Sequence, residues 1–355
     1  MTNTTLTTPA RRCLSRSPGR RILAGVLGLT TAVALASCSG GDDEGAPDAD
    51  NPTHVALQFG WTPNVENMAA IVAEQKGYFR DEGLDVEILP GGPEVAADAQ
   101  VVSGNADMAI LTSESLANAV ANGAPLVAVG AVYQKSPSVI LTTDGSGINT
   151  PKDLEGKKFG ISKTDHRVYE PFFTSEGVDL SKIDMVDTGA DPASLVSGEV
   201  DAMSAVAANQ PVVLRQQGVV TKEIPLADYG FNRWSGALTV RSSDLADDAQ
   251  RQKVLAMARA IEKGLETAVA DPDDAATVVY DAYARDLGLS IESQKEGAKI
   301  WADLATSANN RTTHIAEIDD AGVASQQEFF DKTGIKGAAS QLYDVAASRE
   351  AFGDE

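Results

Sequence analysis

The chain has 355 residues, with 29 basic and 51 acidic side chains and a formal net charge of −22. Such an acidic chain lacks the basic surface that a phosphate backbone requires, so we expect no nucleic-acid partner. Its two cysteines and three histidines are widely spaced, and this spacing is not typical of a metal site or a catalytic nucleophile. We therefore expect no metal, no cofactor and no enzymatic activity.

Residues 1–37 have the layout of an export signal, because arginines precede an apolar run that ends in small residues. At about 16 residues, this run is shorter than the roughly 20 that a permanent membrane helix needs. The sequence LASC at 35–38 resembles a bacterial lipobox and predicts lipid on Cys38, whereas an ordinary secretory signal with an incidental cysteine is the alternative. Residues 38–52 are rich in Gly, Asp and Pro, as in a disordered tether. We thus expect a lipid-anchored protein on the extracytoplasmic face of the cell membrane.

Strands and helices alternate after this tether. The apolar periods predict strands at 54–60, 84–90, 106–111 and 126–133, and helices at 64–82, 93–104 and 113–123. This alternation is typical of parallel β-α-β units and predicts one α/β lobe. The Gly- and Ser-containing segment at 142–151 is interpreted as a crossover to a second lobe.

A second set of α/β units follows this crossover. The predicted strands are 157–162, 183–189 and 200–206, and the predicted helices are 166–176, 191–197 and 208–217. The sequence VSGNADMAI at 102–110 is echoed by VSGEVDAMSAV at 196–206. This spacing is too long for a solenoid repeat, so it indicates two similar lobes.

The last part of the chain is predicted to be helical. Long helices are expected at 247–270 and 272–286, with shorter ones after Ser290 and Glu317. The acidic cluster at 271–274 lacks the Gly and the distal Glu of a calcium loop. We interpret it as a helix cap, with metal binding as the alternative.

Five segments together carry a family resemblance. They are WTPNVENMAAIVAEQKGYFRDEGLDVEIL, VSGNADMAI, KDLEGKKFGI, LVSGEVDAM and YGFNRWSG. This set resembles the solute-binding proteins of ABC importers, and within them the thiamine-pyrimidine-synthase-like group, over residues 53–290. The group includes binders of thiamine pyrimidine precursors, riboflavin, alkanesulfonates and nitrate.

The resemblance implies a type II periplasmic-binding-protein fold, an α/β fold in which two lobes joined by two crossovers close over a ligand. Lobe 1 would comprise 53–143 and 232–355, and lobe 2 would be 144–231. Implied partners are a small-molecule ligand and the permease and ATPase subunits of an importer, and we expect a monomer. The fungal enzymes of this group carry a cysteine-rich iron-binding stretch and an active-site histidine. This sequence lacks both, with Glu66-Asn67 where Asn-His is expected, so a binder is favoured.

Ligands of open α/β sheets lie beyond the carboxyl ends of the strands, near helix N-termini. In lobe 1 this rule selects Trp61, Asn64, Asn67, Thr112, Ser113, Glu114 and Tyr133. In lobe 2 it selects Ser162, Thr164, Asp165, His166 and residues 207–210, among them Asn209. At the second crossover it selects Tyr229, Asn232 and Trp234.

Several of these candidates also have a structural interpretation. Trp61 can cover a lobe edge and Tyr133 can belong to a core. Glu114, Asp165 and His166 suit helix N-termini or an exposed surface without any ligand. Trp234 beside Arg233 can form a surface cation-π pair.

The mixture of aromatic, amide and acidic side chains favours a planar, nitrogen-rich ring. A thiamine pyrimidine precursor is the first hypothesis, riboflavin the second, and a sulfonate or nitrate the third. Two readings from other classes remain open. One is an exported metal-free enzyme that uses Asp165 and His166, and the other is a signalling co-receptor with the same fold.

Overall fold

The computed structural model describes residues 51–92, 94–163, 165–189, 191–308 and 312–353. These described residues all belong to one compact unit, which contains all the described helices and strands. The predicted signal at 1–37, Cys38 and nearly all of the tether at 38–52 lie outside the described residues, and so does Thr164. Within the described ranges, every helix is too short or too polar to cross a membrane.

Two five-stranded sheets form the centres of two lobes. The strands are β1 Thr53–Phe59, β2 Leu84–Leu89, β3 Met108–Leu111, β4 Leu126–Tyr133, β5 Ser138–Thr143, β6 Lys158–Ile161, β7 Asp184–Asp187, β8 Ala202–Val206, β9 Thr221–Pro225 and β10 Ser235–Arg241. The lobe 1 sheet has the order β2-β1-β3-β10-β4, and the lobe 2 sheet has the order β7-β6-β8-β5-β9. Within each sheet one strand runs antiparallel to its neighbours: β10 in lobe 1 and β5 in lobe 2.

The first crossover lies earlier than predicted. The resemblance implies that residues 53–143 belong to lobe 1, but β5 pairs with β8 and β9 in the lobe 2 sheet. The crossover is therefore the four-residue segment 134–137 between β4 and β5. Because both strands are short and apolar and only this segment separates them, periodicity alone gives no signal for a boundary there. The second crossover occupies 226–234, between β9 and β10.

In the described part of the chain, twelve α-helices cover the sheets. They are α1 Met68–Lys76, α2 Tyr78–Asp81, α3 Ala97–Val102, α4 Ser113–Ala121, α5 His166–Ser175, α6 Ala193–Val196, α7 Gln210–Gln216, α8 Asp248–Ala270, α9 Pro272–Val279, α10 Ile291–Ala308, α11 Asp320–Thr333 and α12 Val345–Phe352. The helix predicted at 64–82 is divided, because Gly77 adopts a left-handed conformation with φ of 83° and ends α1. In the region of the helix predicted at 272–286, α9 is followed directly by a short π-helix at Tyr280–Ala284.

Helix α8 packs directly on α1 in the lobe 1 core. A Cβ atom on Gly264 would lie 2.0 Å from the Ala69 carbonyl oxygen, so only glycine permits this close contact. The facing side chains of α1, from Met68 to Ala73, are buried. The long C-terminal helix is therefore part of the lobe 1 core.

An aromatic cluster joins lobe 2 to the C-terminal segment. Phe231 of the second crossover packs edge-on against Phe172 of α5 and against Phe329 of α11, with ring centroids 4.9 and 5.1 Å apart. Lys332 of α11 also pairs with Glu176 after α5, at 2.7 Å. The segment from residue 232 onward, which the resemblance assigns to lobe 1, therefore contacts lobe 2 as well.

Candidate functional site

Arg233 occupies the junction of the two lobes. It lies in the second crossover, and its Nη1 is 3.4 Å from Glu114 Oε2 at the start of α4 in lobe 1. Its Nη2 donates to Ser138 Oγ, at the start of β5 in lobe 2, at 3.2 Å. The other oxygen of Glu114 lies 3.3 Å from Arg167 of α5. Glu114 and Arg233 thus form an electrostatic bridge between the lobes.

The charge of Arg233 is stabilised by its surroundings. Burial disfavours the guanidinium ion, but its interactions with Tyr169, Glu114 and Asp165 outweigh this effect and raise the pKa of Arg233. Burial also raises the pKa of Tyr169 to about 12, with Arg233 acting in the opposite direction. Arg233 is therefore a fixed cation, and Tyr169 a neutral phenol, at physiological pH.

Glu66 provides a second ionisable group near Arg233. It follows Asn64 in a 3-10 turn, Val65–Asn67, after β1. The Glu66 side chain as a whole is partly exposed. Burial of its carboxyl group raises the pKa more than the Arg233 charge lowers it, and the resulting pKa is about 7. Near neutral pH this carboxyl group is both a donor and an acceptor of hydrogen bonds.

Tyr133 and Trp301 form an aromatic pair beside Glu66. Their ring centroids are 4.4 Å apart, and burial, then the Glu66 charge, raises the pKa of Tyr133 well above its usual value. The Tyr133 hydroxyl, Trp301 Nε1 and Arg233 Nε are buried and have no hydrogen-bond partner among the described residues. Buried polar groups without partners are uncommon, and a ligand is one way to satisfy them.

Helix α10 closes this region from the C-terminal side. Gln294 accepts a hydrogen bond from the Val65 amide at 3.2 Å. A Cβ atom on Gly297 would lie 3.1 Å from both the Ala208 carbonyl oxygen of lobe 2 and Val65 of lobe 1. Since α10 contacts the first loop of lobe 1 and the loop after β8, the C-terminal segment contributes to the site.

Several predicted ligand residues have local structural partners. Asn64 accepts from the Glu66 amide at 2.8 Å, and Asn67 donates to the Thr62 carbonyl at 3.2 Å. Thr112 caps α4 by accepting from the Ser115 amide at 3.2 Å. His166 bonds to Glu170, one turn along the same helix, at 2.8 Å. Their ligand-binding roles remain predictions.

Trp234 is a core residue in this structure. It is 1% exposed, packs edge-on against Tyr343 with centroids 5.2 Å apart, and its amide donates to Ser113 Oγ at 3.1 Å. The cation-π contact suggested for Arg233 and Trp234 instead joins Arg233 to the Phe231 ring, at 6.0 Å. Trp234 and Ser113 therefore support the crossover that carries Arg233.

Asn232 connects the two crossovers directly. Its Oδ1 accepts from the Ser136 amide at 3.0 Å, and its Nδ2 donates to the Gln134 carbonyl at 3.3 Å. A cavity of about 340 Å³ lies beside it, lined partly by Trp234 and Glu328. This cavity is at the hinge, and neither Glu66 nor Tyr133 lines it.

The remaining candidates lie around the site. Trp61 is 39% exposed. The Ser162 carbonyl accepts from the Asp165 amide at 3.1 Å, and the Asn209 amide donates to Val206 at 2.9 Å. The carbonyl of Tyr229 accepts from Lys332 at 2.8 Å. Of the predicted residues, Glu114 and Asp165 lie in the electrostatic group around Arg233, and Tyr133 lies beside Glu66.

Sequence reasoning missed Glu66, Ser138, Tyr169 and Trp301 as site residues. Glu66 was noted only because it occupies the position where a histidine was expected, and its proximity to Arg233 was not foreseen. Ser138 was missed because β5 was not predicted as a strand. Trp301 lies within a helix, so a rule based on strand ends does not reach it.

Comparisons with known proteins agree with this architecture. The family model described as NMT1/THI5 like matches residues 64–275. The formylaminopyrimidine-binding protein of Halalkalibacterium halodurans is 27% identical over 250 residues, which cover 69% of this chain and 74% of that protein. The riboflavin-binding protein RibY of Chloroflexus aurantiacus is 25% identical over 276 residues, covering 74% and 77%.

This chain is also similar to a solved structure and, over part of its length, to an enzyme. The periplasmic aliphatic sulphonate binding protein SsuA of Escherichia coli superposes with a TM-score of 0.62 at 17% identity, covering 82% of this chain and 91% of that one. The predicted type II periplasmic-binding-protein fold is thereby confirmed. A 4-amino-5-hydroxymethyl-2-methylpyrimidine phosphate synthase of Schizosaccharomyces pombe is 25% identical over 158 residues, only 44% of this chain and 46% of that enzyme.

Proposed function

Because this chain belongs to the NMT1/THI5-like family, we propose that it is the extracytoplasmic solute-binding component of an ABC importer. Its ligand is a small planar nitrogen heterocycle, and a thiamine pyrimidine precursor is the first candidate. Support comes from relatives named as formylaminopyrimidine-binding and riboflavin-binding proteins, each aligned over about 70% of the chain or more.

The observation that carries this proposal is the Glu66 carboxyl group, with a pKa of about 7, beside Arg233 and Tyr133. An aminopyrimidine presents a ring nitrogen acceptor next to an exocyclic amine donor. A carboxyl group that titrates near neutrality matches both positions, because it donates from one oxygen and accepts at the other. The Tyr133 hydroxyl offers a further donor or acceptor to a ring substituent.

Capture would occur by lobe closure without covalent chemistry. Glu114 of lobe 1 and Arg167 of lobe 2 meet across the cleft at 3.3 Å. Contacts of this kind exist only when the lobes approach, so a ligand held by both lobes shifts the equilibrium toward the closed form. The closed form would then be presented to the permease and ATPase subunits.

An exported enzyme is the alternative from another class, since some relatives are named synthases. It is less well supported because His166, the proposed acid-base group, bonds to Glu170 of its own helix. The binder would be a monomer held at the extracytoplasmic membrane surface by lipid on Cys38, after removal of residues 1–37.

A thermal-shift screen of the Glu44–Glu355 unit tests the proposal. The panel contains 4-amino-5-hydroxymethyl-2-methylpyrimidine, its formylamino analogue, riboflavin, an alkanesulfonate and nitrate. A ligand at a hundred times its Kd stabilises the protein by about 2.7 kcal/mol, which raises the Tm by several degrees. We expect the pyrimidines to give this shift. A shift with anions alone would refute the heterocycle, and time-dependent consumption of a bound pyrimidine, followed by mass spectrometry, would favour an enzyme.

A further inference from the structure

A cluster of three metal-ligating side chains lies in lobe 1, outside the interlobe site. Glu262 and Glu266 are one turn apart on α8, and His314 lies in the loop that precedes α11. His314 Nδ1 is 3.8 Å from a Glu262 oxygen and 3.9 Å from a Glu266 oxygen. One donor atom from each residue lies within 4.8 Å of the other two.

We propose that this cluster binds a divalent transition-metal ion of the Zn²⁺ class, with Glu262, Glu266 and His314 as its protein ligands. Zn²⁺ bonds to nitrogen and oxygen are about 2.0–2.2 Å long, so tetrahedral ligands lie roughly 3.4 Å apart. The two His314–carboxylate separations of 3.8 and 3.9 Å exceed this by about half an ångström, and the two carboxylates lie within 4.8 Å of each other. One imidazole with two carboxylates suits such an ion, whereas Ca²⁺ and Mg²⁺ prefer all-oxygen sites.

Hydrogen bonds fix one of the ligands, Glu262, and the backbone of the loop that carries His314. Glu262 is 4% exposed, and its two oxygens accept from the amides of Ile315 and Ala316 at 2.7 and 2.9 Å. Thr312 Oγ1 donates to the His314 carbonyl at 2.9 Å and supports the loop. Fixed carboxylates of this kind are typical of metal sites, because a preset orientation lowers the cost of ligation.

An ion here would brace the loop against the hinge. The Ala131 amide of β4 donates to the Ala316 carbonyl at 2.9 Å, and Gln134, the first residue of the first crossover, donates to the Glu317 carbonyl at 2.7 Å. The same loop would be tied to α8 through the metal. The expected role is therefore structural, and it is independent of the heterocycle site.

The test is Zn²⁺ titration of the tag-free Glu44–Glu355 unit after treatment with a chelator. Both cysteines precede this unit, so a thiol does not compete for the ion. We expect one Zn²⁺ per chain by calorimetry, and a Tm rise of about 5 °C at a hundred times the Kd. Equal concentrations of Mg²⁺ and Ca²⁺ should give no comparable rise.

Substitutions identify the ligands. Glu266→Gln changes a side chain that is 54% exposed, so the fold should be retained, and Zn²⁺ affinity should fall by at least about tenfold. His314→Gln should have the same effect, whereas Glu292→Gln, an equal charge change at an exposed position of α10, should have none. Absence of Zn²⁺ binding, or equal affinity in all variants, would overturn the proposal. Pyrimidine titrations of the same variants should be unchanged, which separates this result from a failure of the proposed function.

Discussion

The raised pKa of Glu66 has a measurable consequence for stability. Its pKa rises from 4.5 to about 7 in the folded chain, so the folded state retains a proton that the unfolded state loses between these values. Stability contributed by this group is therefore full below pH 4.5 and is lost as the pH rises toward 7. At about 1.36 kcal/mol per pKa unit, the loss approaches roughly 3 kcal/mol.

Replacing Glu66 with Gln removes this titration. We expect Glu66→Gln to match the wild type near pH 4.5 and to exceed its free energy of unfolding by about 2–3 kcal/mol at pH 8. Urea denaturation of both proteins at several pH values measures this difference, and other titrating groups cancel in the comparison. Glu292→Gln is the control and should follow the wild type. A Glu66→Gln protein that is less stable than the wild type throughout this pH range would refute the reasoning, because it would indicate a well-paired carboxylate.

Five further substitutions, two matched pairs and one single change, separate stability from binding. Glu114→Gln removes the charge that pairs with the largely buried Arg233, so urea denaturation should show a free energy of unfolding lower by about 1–3 kcal/mol. The matched change Arg167→Gln affects a side chain that is 62% exposed, so it should lower the free energy of unfolding by about 1 kcal/mol or less. Gly264→Ala places a Cβ atom 2.0 Å from the Ala69 carbonyl oxygen, so it should lower the free energy of unfolding by about 1–3 kcal/mol or more and lower the Tm. The matched change Gly297→Ala has its nearest contact at 3.1 Å, so its free energy of unfolding should fall less. Tyr133→Phe deletes a buried hydroxyl without a described partner, so the free energy of unfolding should be unchanged or higher. Calorimetry should show that this protein binds the pyrimidine about tenfold more weakly, a loss of about 1.4 kcal/mol in binding free energy. Equal losses in each matched pair, or a Tyr133→Phe protein that binds normally, would contradict these expectations.

The lobes were largely predictable from periodicity. Alternating short strands and amphipathic helices predicted the parallel part of each sheet, and most predicted elements occur within a few residues of their expected positions. The antiparallel strand β5 was not predicted, because a four-residue crossover leaves its apolar residues close to those of β4. Helix α12 was also missed, since it is short and lies at the end of a region described only as helical.

The site was less predictable than the fold. The strand-end rule nominated Glu114 and Asp165 because such loops converge at one edge of a sheet. It also nominated Asn64 and Thr112, whose side chains instead satisfy helix and turn amides. Sequence spacing does not show which of two equivalent polar residues caps a helix. Nor does it reveal that Trp301, in a distant helix, packs against Tyr133.

Isothermal titration of the Glu44–Glu355 unit with 4-amino-5-hydroxymethyl-2-methylpyrimidine tests the central claim most directly. The wild type should bind one molecule per chain, and Glu66→Ala, which removes the carboxyl group proposed to pair with the ring, should bind at least about tenfold more weakly. Saturable binding of an alkanesulfonate or nitrate, with no heat from the pyrimidine, would contradict the account. Equal affinity of both proteins for the pyrimidine would show that the ligand does not contact Glu66.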